Sequence, residues 1–583
     1  MSSTDQFTLL VAHAIGDFFA NSTNKSLLLS SVLTVALLAL LWWVLFAFLP
    51  GLVMDRHLMH VPQVRGRLPF FGHALLLLEG SPTSKMAAWS LDPLRREGGK
   101  RENGEKINRL VTFNVFSQRV VYINEPALLK RVLLTNQRNY IKDIPSSYKH
   151  FMCLLGSGLV TAEGDKWRKG RLMLSHSLRI DILEDIPEMA VKATGRILDK
   201  MPTTTGGPSF IDLNEEFRHM TLQVIGETVL SLTPEETDRI FPTLYLPIVH
   251  ECNRLVWEPW RSLLPFSEGA RQRRSCLKKL NRVICNIIRE RWKARSETGK
   301  RDVMSLCMSQ IDSLTSGMVA QLRDDVKTLL LAGHETSAAL LTWATYEVIC
   351  HPEVRDKIVE EARVLFDPVR CERTVVTPYG TWGIPTASDV RALLRWTPAT
   401  LRETLRKHSV VPLVMRLAKK NDTWPASETG LERDITIPAG CSVAVGIEAV
   451  HHRPDIWPDS DMFRPERFLD VDTANSHASG RSVDGGRSID PYAFLPFING
   501  PRNCLGQHLS MMETQVSLAF LFLNCDLRLC DVDATGGHRD ALELQHEVGQ
   551  PHAFLIPIVP RNGLKVHAVP AAPRPCVQTT ATV

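Results

Sequence analysis

The chain has 583 residues, with Lys+Arg 68 against Asp+Glu 63 and a net charge of only +5, which gives no electrostatic case for nucleic-acid binding. Its 12 cysteines are scattered and form no C-x-x-C pair, which argues against a disulfide framework or a zinc site and fits a reducing, cytosol-facing domain. The length exceeds the usual single core, yet no repeat or linker divides the middle, so one large domain behind an N-terminal extension is predicted.

Residues 1–26 read as a short extension. Residues 27–49, LLLSSVLTVALLALLWWVLFAFL, carry no charge and are long enough to span a bilayer, so they predict a transmembrane anchor. A cleaved signal peptide is the alternative, but the run is longer than a typical signal core and lacks a clear small-x-small site. Arg56, Arg65 and Arg67 follow the run and only Lys25 closely precedes it, which puts the main domain in the cytosol. Asn21 and Asn24 head glycosylation sequons on the far side. Residues 50–72 hold Pro62, Pro69 and Gly72 and predict a stiff hinge. Residues 73–568 form the large domain, and 569–583 predict a disordered tail.

Within that domain RLVTFNVFSQRVVYIN predicts short strands, and helix dominates from Asp165 onward. Asp324 to His351 has no proline and predicts one helix crossing the domain. TASDVRALLRWTPATLRETLRKH predicts another before His408. The segment from Asp472 to Asp490 is polar and Gly/Ser-rich and reads as a surface loop.

Chemistry concentrates at Cys504, in the pattern Phe497-x-x-Gly500-x-Arg502-x-Cys504-x-Gly506 ahead of an apolar helical run. A lone cysteine is usually a small buried hydrophobe. Five fixed residues at this spacing, however, match by chance in about one chain in several thousand. A thiolate at a helix start is stabilised by N–H groups and the helix dipole. Upstream, AGHETS places Ala332, Gly333, Glu335 and Thr336 mid-helix; apolar flanks argue for burial over a surface polar patch. A threonine hydroxyl bonding back to an earlier carbonyl can distort a helix there. Glu403 and Arg406 stand three apart, which alone suggests only an exposed pair, and Arg467 follows in FRPERF. Trp167 and Arg171 share a helical face, and Arg416 lies in VPLVMR.

The Cys504 loop resembles the cysteine-ligand loop of the cytochrome P-450 superfamily, eukaryotic microsomal type, and the other motifs occur in the family's order. The resemblance implies a mainly α fold with small β-sheets, the cytochrome P-450 fold, behind a single transmembrane helix. It implies haem b with Cys504 as axial iron ligand, since a thiolate favours O–O cleavage. Phe497 would shield the iron–sulfur bond, Gly500 permit the turn and Gly506 let the flat macrocycle approach. Arg502, Trp167, Arg171 and Arg416 would hold haem propionates. Ala332 and Gly333 would keep an oxygen groove open, with Thr336 and Glu335 delivering protons. Glu403, Arg406 and Arg467 would form a buried structural triad. The implied activity is a haem-thiolate monooxygenase of the endoplasmic reticulum membrane, its catalytic domain facing the cytosol. Electrons would come from NADPH through a separate flavoprotein reductase, because no flavin or nicotinamide module is evident. Lys166, Arg168 and Lys169 would face that partner or merely solvent.

Ser510 stands where the family often has alanine, and the loop from Asp472 looks long. The sequence signature of sterol 14α-demethylases is absent. The expected substrate is lipophilic: a sterol or sterol intermediate first, a fatty acid next, in a pocket drawn from YKHFMCLL, LVWEPW and VVPLVM. The competing readings are a haem-thiolate isomerase or dehydratase, which often lacks the helix threonine, a non-catalytic haem sensor and a purely structural membrane protein.

Overall fold

The computed structural model describes most of residues 54–570; the larger stretches outside the described residues are 1–29, 42–53, 92–107, 202–209, 296–301, 470–479, 482–487, 531–544, 552–556 and 571–583. The predicted extension and nearly all of the predicted tail therefore lie outside them. So does the anchor at 27–49, except for Ser30, Ser31, Leu33, Thr34, Leu37, Leu38 and Leu41, which are helical and exposed. Among the described residues no helix is long and apolar enough to cross a membrane.

The fold is mainly helical with small sheets. In chain order the elements that place the site are β1 (Leu110–Val115), β2 (Gln118–Ile123), β3 (Tyr140–Lys142), α1 (Met152–Leu155), α2 (Gly164–Ser177), α3 (Ile186–Leu198), β4 (Ile211–Asp212) and α4 (Leu213–Leu230). There follow α5 (Leu246–Trp257), α6 (Glu268–Lys293), α7 (Ser316–Cys350), α8 (Pro352–Leu365), α9 (Trp396–Lys407), β5 (Leu413–Ala418), β6 (Ser442–Gly446), α10 (Gln507–Asn524), β7 (Cys525–Leu529) and β8 (Lys565–Pro570). The larger sheet has the order β1-β2-β6-β5-β3, and a second has the order β7-β8-β4. Strand β6 runs parallel to β2 and antiparallel to β5.

The β1–β2 hairpin pairs Leu110 with Ile123 and is buried on both faces, Leu110, Val121 and Ile123 in one apolar cluster and Val111, Phe113, Val120 and Tyr122 in another. Thr112 donates to the Pro62 carbonyl and Val64 to the Thr112 carbonyl, so residues around Pro62 run along β1. At the other end β8 continues through Val569 and Pro570, paired with Asp526 and Cys525. The polar segment at Asp472 contains a small pairing of Gly480–Arg481 with Ser488–Ile489. The helix expected before His408 is two: Ala387–Leu393, capped by Thr386, and then α9.

Helix α7 is the axis of the molecule, 35 residues and roughly 52 Å long at the α-helical rise. The Thr315 hydroxyl caps its start by accepting from the Met318 N–H at 3.2 Å, and Pro352 opens α8 just after its end. Apolar residues surround it because α4, α6, α9 and α10 pack on its sides. Gly333 lets α4 approach: a Cβ there would stand 2.7 Å from Ile225. Trp343 of α7 is buried, stacked on His408 at 4.0 Å, and donates to the Ile558 carbonyl at 2.9 Å.

The deepest charges lie in one network. Arg406 makes paired 2.8 Å bonds to both Glu403 oxygens, and Arg467 lies 3.5 Å from the same carboxylate. Arg406 also donates to the His451, Ser460 and Met462 carbonyls, and Arg467 to those of Pro458 and Asp459. All three side chains are fully buried, which charge tolerates only with this degree of pairing. The network fastens α9 to the FRPERF turn.

Candidate active site

The loop before α10 is built on two backbone demands. Ile498 and Gly500 both have positive φ, at 58° and 90°. Gly500 also meets the Leu133 carbonyl oxygen, which an added Cβ would approach to 2.3 Å. The turn folds the chain so that the Cys504 N–H donates to the Phe497 carbonyl at 2.8 Å. Gly506 is the residue from which α10 starts, and its own N–H points to the Cys504 sulfur.

Cys504 is exposed, but into an internal cavity. Burial of the surroundings pushes its thiol up, while the Gly506 N–H and the Arg171 charge pull it down. The cavity has a volume of about 290 Å³. Its polar end holds Lys142, Trp167, Arg171, Arg502 and Cys504; its apolar wall includes Leu159, Val160, Ile225, Leu340, Val410 and Phe497. Thr336, Ala332 and Gly333 of α7 also line it.

The polar end is rich in cations. Arg502 donates to the Ala162 carbonyl at 2.9 Å and pairs with Glu163 at 2.5 Å, its guanidinium 4.3 Å over the Trp167 ring. Arg171 donates to the carbonyl and side chain of Asn503 at 2.6 and 2.5 Å. Arg416 of β5 is buried and stands opposite Lys142 of β3. It does not line the cavity itself, and its side chain donates to the Met415 carbonyl. Among the described residues neither Arg171 nor Arg416 has a carboxylate within ion-pair distance. Burial pushes Lys142, Arg171, Arg416 and Arg502 all below their ordinary values. So many desolvated cations around one carboxylate create a place for an anion with more than one negative charge.

The two polar residues of α7 separate. The Thr336 hydroxyl donates to the Ala332 carbonyl at 2.7 Å and faces the cavity. The helix stays α-helical through this bond, so the expected local distortion is absent. Glu335 opens instead onto a second cavity of about 560 Å³, shared with Arg218, His250, Arg254 and Arg561. Arg218 lies 3.6 Å from it. Burial pushes Glu335 up to about 7, against the downward pull of Arg218.

Of the sequence-predicted residues, Cys504, Phe497, Arg502, Gly506, Trp167, Arg171, Ala332, Gly333 and Thr336 meet at one cavity. Gly500 shapes the loop, Arg416 stands behind the wall and Glu335 faces away. The triad lies outside the site. Of the expected pocket segments, only Val410 and Val411 of VVPLVM line this cavity among the described residues; Leu159 and Val160, just beyond YKHFMCLL, take the expected place.

Sequence reasoning missed Lys142, whose signal was one lysine ending a short strand, and Tyr148, whose ring lies 5.3 Å from the Lys142 ammonium. It also missed a use for Ser510. Its hydroxyl bonds to Ser337 at 2.9 Å, and Ser337 bonds in turn to the buried Glu513, whose carboxyl desolvation pushes well up. That chain of groups ties α10 to α7 directly behind the cavity.

A flat dianionic cofactor fits this geometry. The position a Gly506 Cβ would take is open, with no atom within 4 Å. A thiol faces the same space, and the cations gather at one end of it. A profile of the family described as cytochrome P450 matches residues 66–539. Among curated relatives the chain is similar to "Cytochrome P450 97B2, chloroplastic" of Glycine max, 28% identical over 447 residues that cover 70% of this chain and 74% of the relative. It is similar to "Cytochrome P450 4c21" of Blattella germanica at 26%, covering 78% and 85%. It is also similar to "Cytokinin hydroxylase" of Arabidopsis thaliana at 27%, covering 71% and 74%.

Proposed function

The chain belongs to the cytochrome P450 family, whose members are haem-thiolate monooxygenases working with haem b, O2 and electrons from a redox partner, and on that premise we propose that it is a membrane-anchored hydroxylase of a lipophilic small molecule with Cys504 as its haem ligand. The carrying observation is the Cys504 thiol, held by the Gly506 N–H, in a cavity ringed by Arg171, Arg502 and Lys142. Bound haem supplies the activation of O2 for insertion of one oxygen atom into a C–H bond.

The chain's own residues do the rest. The Gly506 N–H and Arg171 oppose the upward push of burial on the Cys504 thiol and so favour the thiolate that the haem iron would take. Arg171, Arg502 with Trp167, and Lys142 would hold the propionates, with Arg416 adding positive potential behind them. Phe497 excludes water from the sulfur side. The Thr336 hydroxyl spends its proton on the Ala332 carbonyl, so its oxygen faces the cavity as an acceptor for a proton donor. Glu335, pushed up to about 7 by burial, holds a proton near neutrality in the neighbouring cavity. Glu403, Arg406 and Arg467 are structural.

An apolar wall suits a substrate that partitions from a bilayer. Membrane contact is further supported by Trp260, Leu263, Leu264 and Phe266, which are 60, 79, 57 and 81% exposed in one turn between α5 and α6. With the anchor at 27–49 this gives a single-pass protein of the endoplasmic reticulum, its domain in the cytosol. Lys166, Arg168 and Lys169, all exposed on α2, offer a basic face to an acidic NADPH-dependent flavoprotein reductase. The comparisons lend no support to a sterol in particular. Sterols and fatty acids are therefore parallel arms of one experiment: titration of the purified holoprotein with each class, read as a spin-state shift of the haem spectrum. A saturable shift followed by hydroxylated product with reductase and NADPH identifies the class. Turnover of neither class, with turnover of a hydrophilic molecule, overturns the lipophilic reading.

A further inference from the structure

A second reactive group lies away from the Cys504 cavity. Cys153 sits on α1 and Cys252 on α5, 99 residues apart in sequence, yet their sulfurs are 3.8 Å apart. Cys153 is exposed and Cys252 fully buried beneath it. The Arg273 guanidinium, from α6, lies 3.9 Å from the Cys153 sulfur. Three elements thus deliver an accessible thiol, a resolving thiol and a cation to one point, an arrangement that a packing cysteine does not need.

We propose that Cys153 and Cys252 form a reversible disulfide on exposure to peroxide, and that this bond slows turnover by pinning α1 to α5. The contact between the two sulfurs, together with Arg273, holds the exposed Cys153 below the ordinary thiol range. Cys252 is pushed up by the same contact and by burial, so Cys153 is the attacking sulfur. The Cys153 thiolate attacks one peroxide oxygen, the O–O bond breaks and hydroxide leaves, taking a proton to become water. Cys153 is then a sulfenic acid, oxidised by two electrons. The Cys252 sulfur attacks that sulfur, loses its proton and expels hydroxide, which takes up the proton as a second water. Two thiols and one peroxide give one disulfide and two waters. The sulfurs must close from 3.8 Å to about 2.05 Å, a shift that side-chain rotation and a small movement of the four-residue α1 supply.

The bond sits between two cavities. Beyond α1 the chain turns at Gly156 and brings Leu159 and Val160 into the wall of the Cys504 cavity. Helix α5 gives His250, Asn253 and Arg254 to the Glu335 cavity. Fixing α1 on α5 therefore stiffens the rims of both, and substrate entry requires a rim to move.

The test uses haem-loaded full-length protein exposed to low-millimolar hydrogen peroxide, then alkylated, digested and analysed by mass spectrometry, with haem integrity followed by the reduced carbon monoxide spectrum. The expected result is a linked peptide pair carrying Cys153 and Cys252. Turnover should fall several-fold in samples that keep their haem, with recovery after dithiothreitol. Cys252→Ala should leave Cys153 as sulfenic or higher acid with no link, and Arg273→Gln should slow the linking several-fold. Absence of the linked pair while Cys153 is oxidised overturns the disulfide. A linked pair with unchanged turnover overturns the regulatory role.

Discussion

Glu335 and Thr336 are adjacent in sequence yet open onto different cavities: Thr336 beside Cys504, Glu335 beside Arg218 at 3.6 Å. Helix α7 therefore presents one polar group to each of two cavities.

Replacing Thr336 by Ala removes the cavity-facing oxygen but leaves Cys504 and the cation cluster. Haem content and NADPH consumption should persist while product per NADPH falls several-fold and peroxide rises. The ratio of product to NADPH, with reductase and saturating substrate, is the measurement. An unchanged ratio assigns Thr336 a packing role.

The pH dependence follows from Glu335. Its folded value near 7 lies above the ordinary 4.5, so the unfolded chain loses this proton first. The residue's contribution to stability is favourable below about 4.5 and is lost as pH rises toward about 7. Proton supply should likewise weaken as pH rises through about 7, lowering coupling. Arg218 opposes burial, and His334 and His250 lie near, so Arg218→Met should move the inflection to higher pH. An inflection that stays put shows that Glu335 does not set it.

The buried Glu403–Arg406–Arg467 network predicts a large stability effect. Arg406→Ala leaves the Glu403 carboxylate buried without its bidentate partner and should cost about 3–5 kcal/mol. Chemical denaturation should show it as a lowered midpoint. A change confined to activity, with the midpoint intact, would place this network in the chemistry.

Lys142→Met and Arg171→Met each remove a cavity cation and should reduce haem retention in purified protein, the double variant more than either. Gly506→Val fills the open cradle and should lower haem content even though no charge changes. Dialysis against apomyoglobin, which accepts released haem, reads both effects as faster transfer.

Much of the site was legible because its parts are local in sequence. The Cys504 loop lies within ten residues, and Gly500 follows from a turn that needs positive φ. The long α7 was legible from a proline-free apolar run. Lys142, Tyr148 and Glu513 were not, because their meaning arises from partners that folding supplies: Arg416 across a strand pair, and Ser337 across a helix contact. Likewise the divergence of Glu335 from Thr336 depends on what α4 and α5 place against each face, which helical periodicity alone does not specify.

The most direct test is the absorption spectrum of the reduced carbon monoxide complex, for wild type and for Cys504→Ala. Cys504 ligation predicts the red-shifted Soret band that marks a thiolate ligand in wild type, and loss of both band and hydroxylation in the variant. Retention of the band in Cys504→Ala would contradict it.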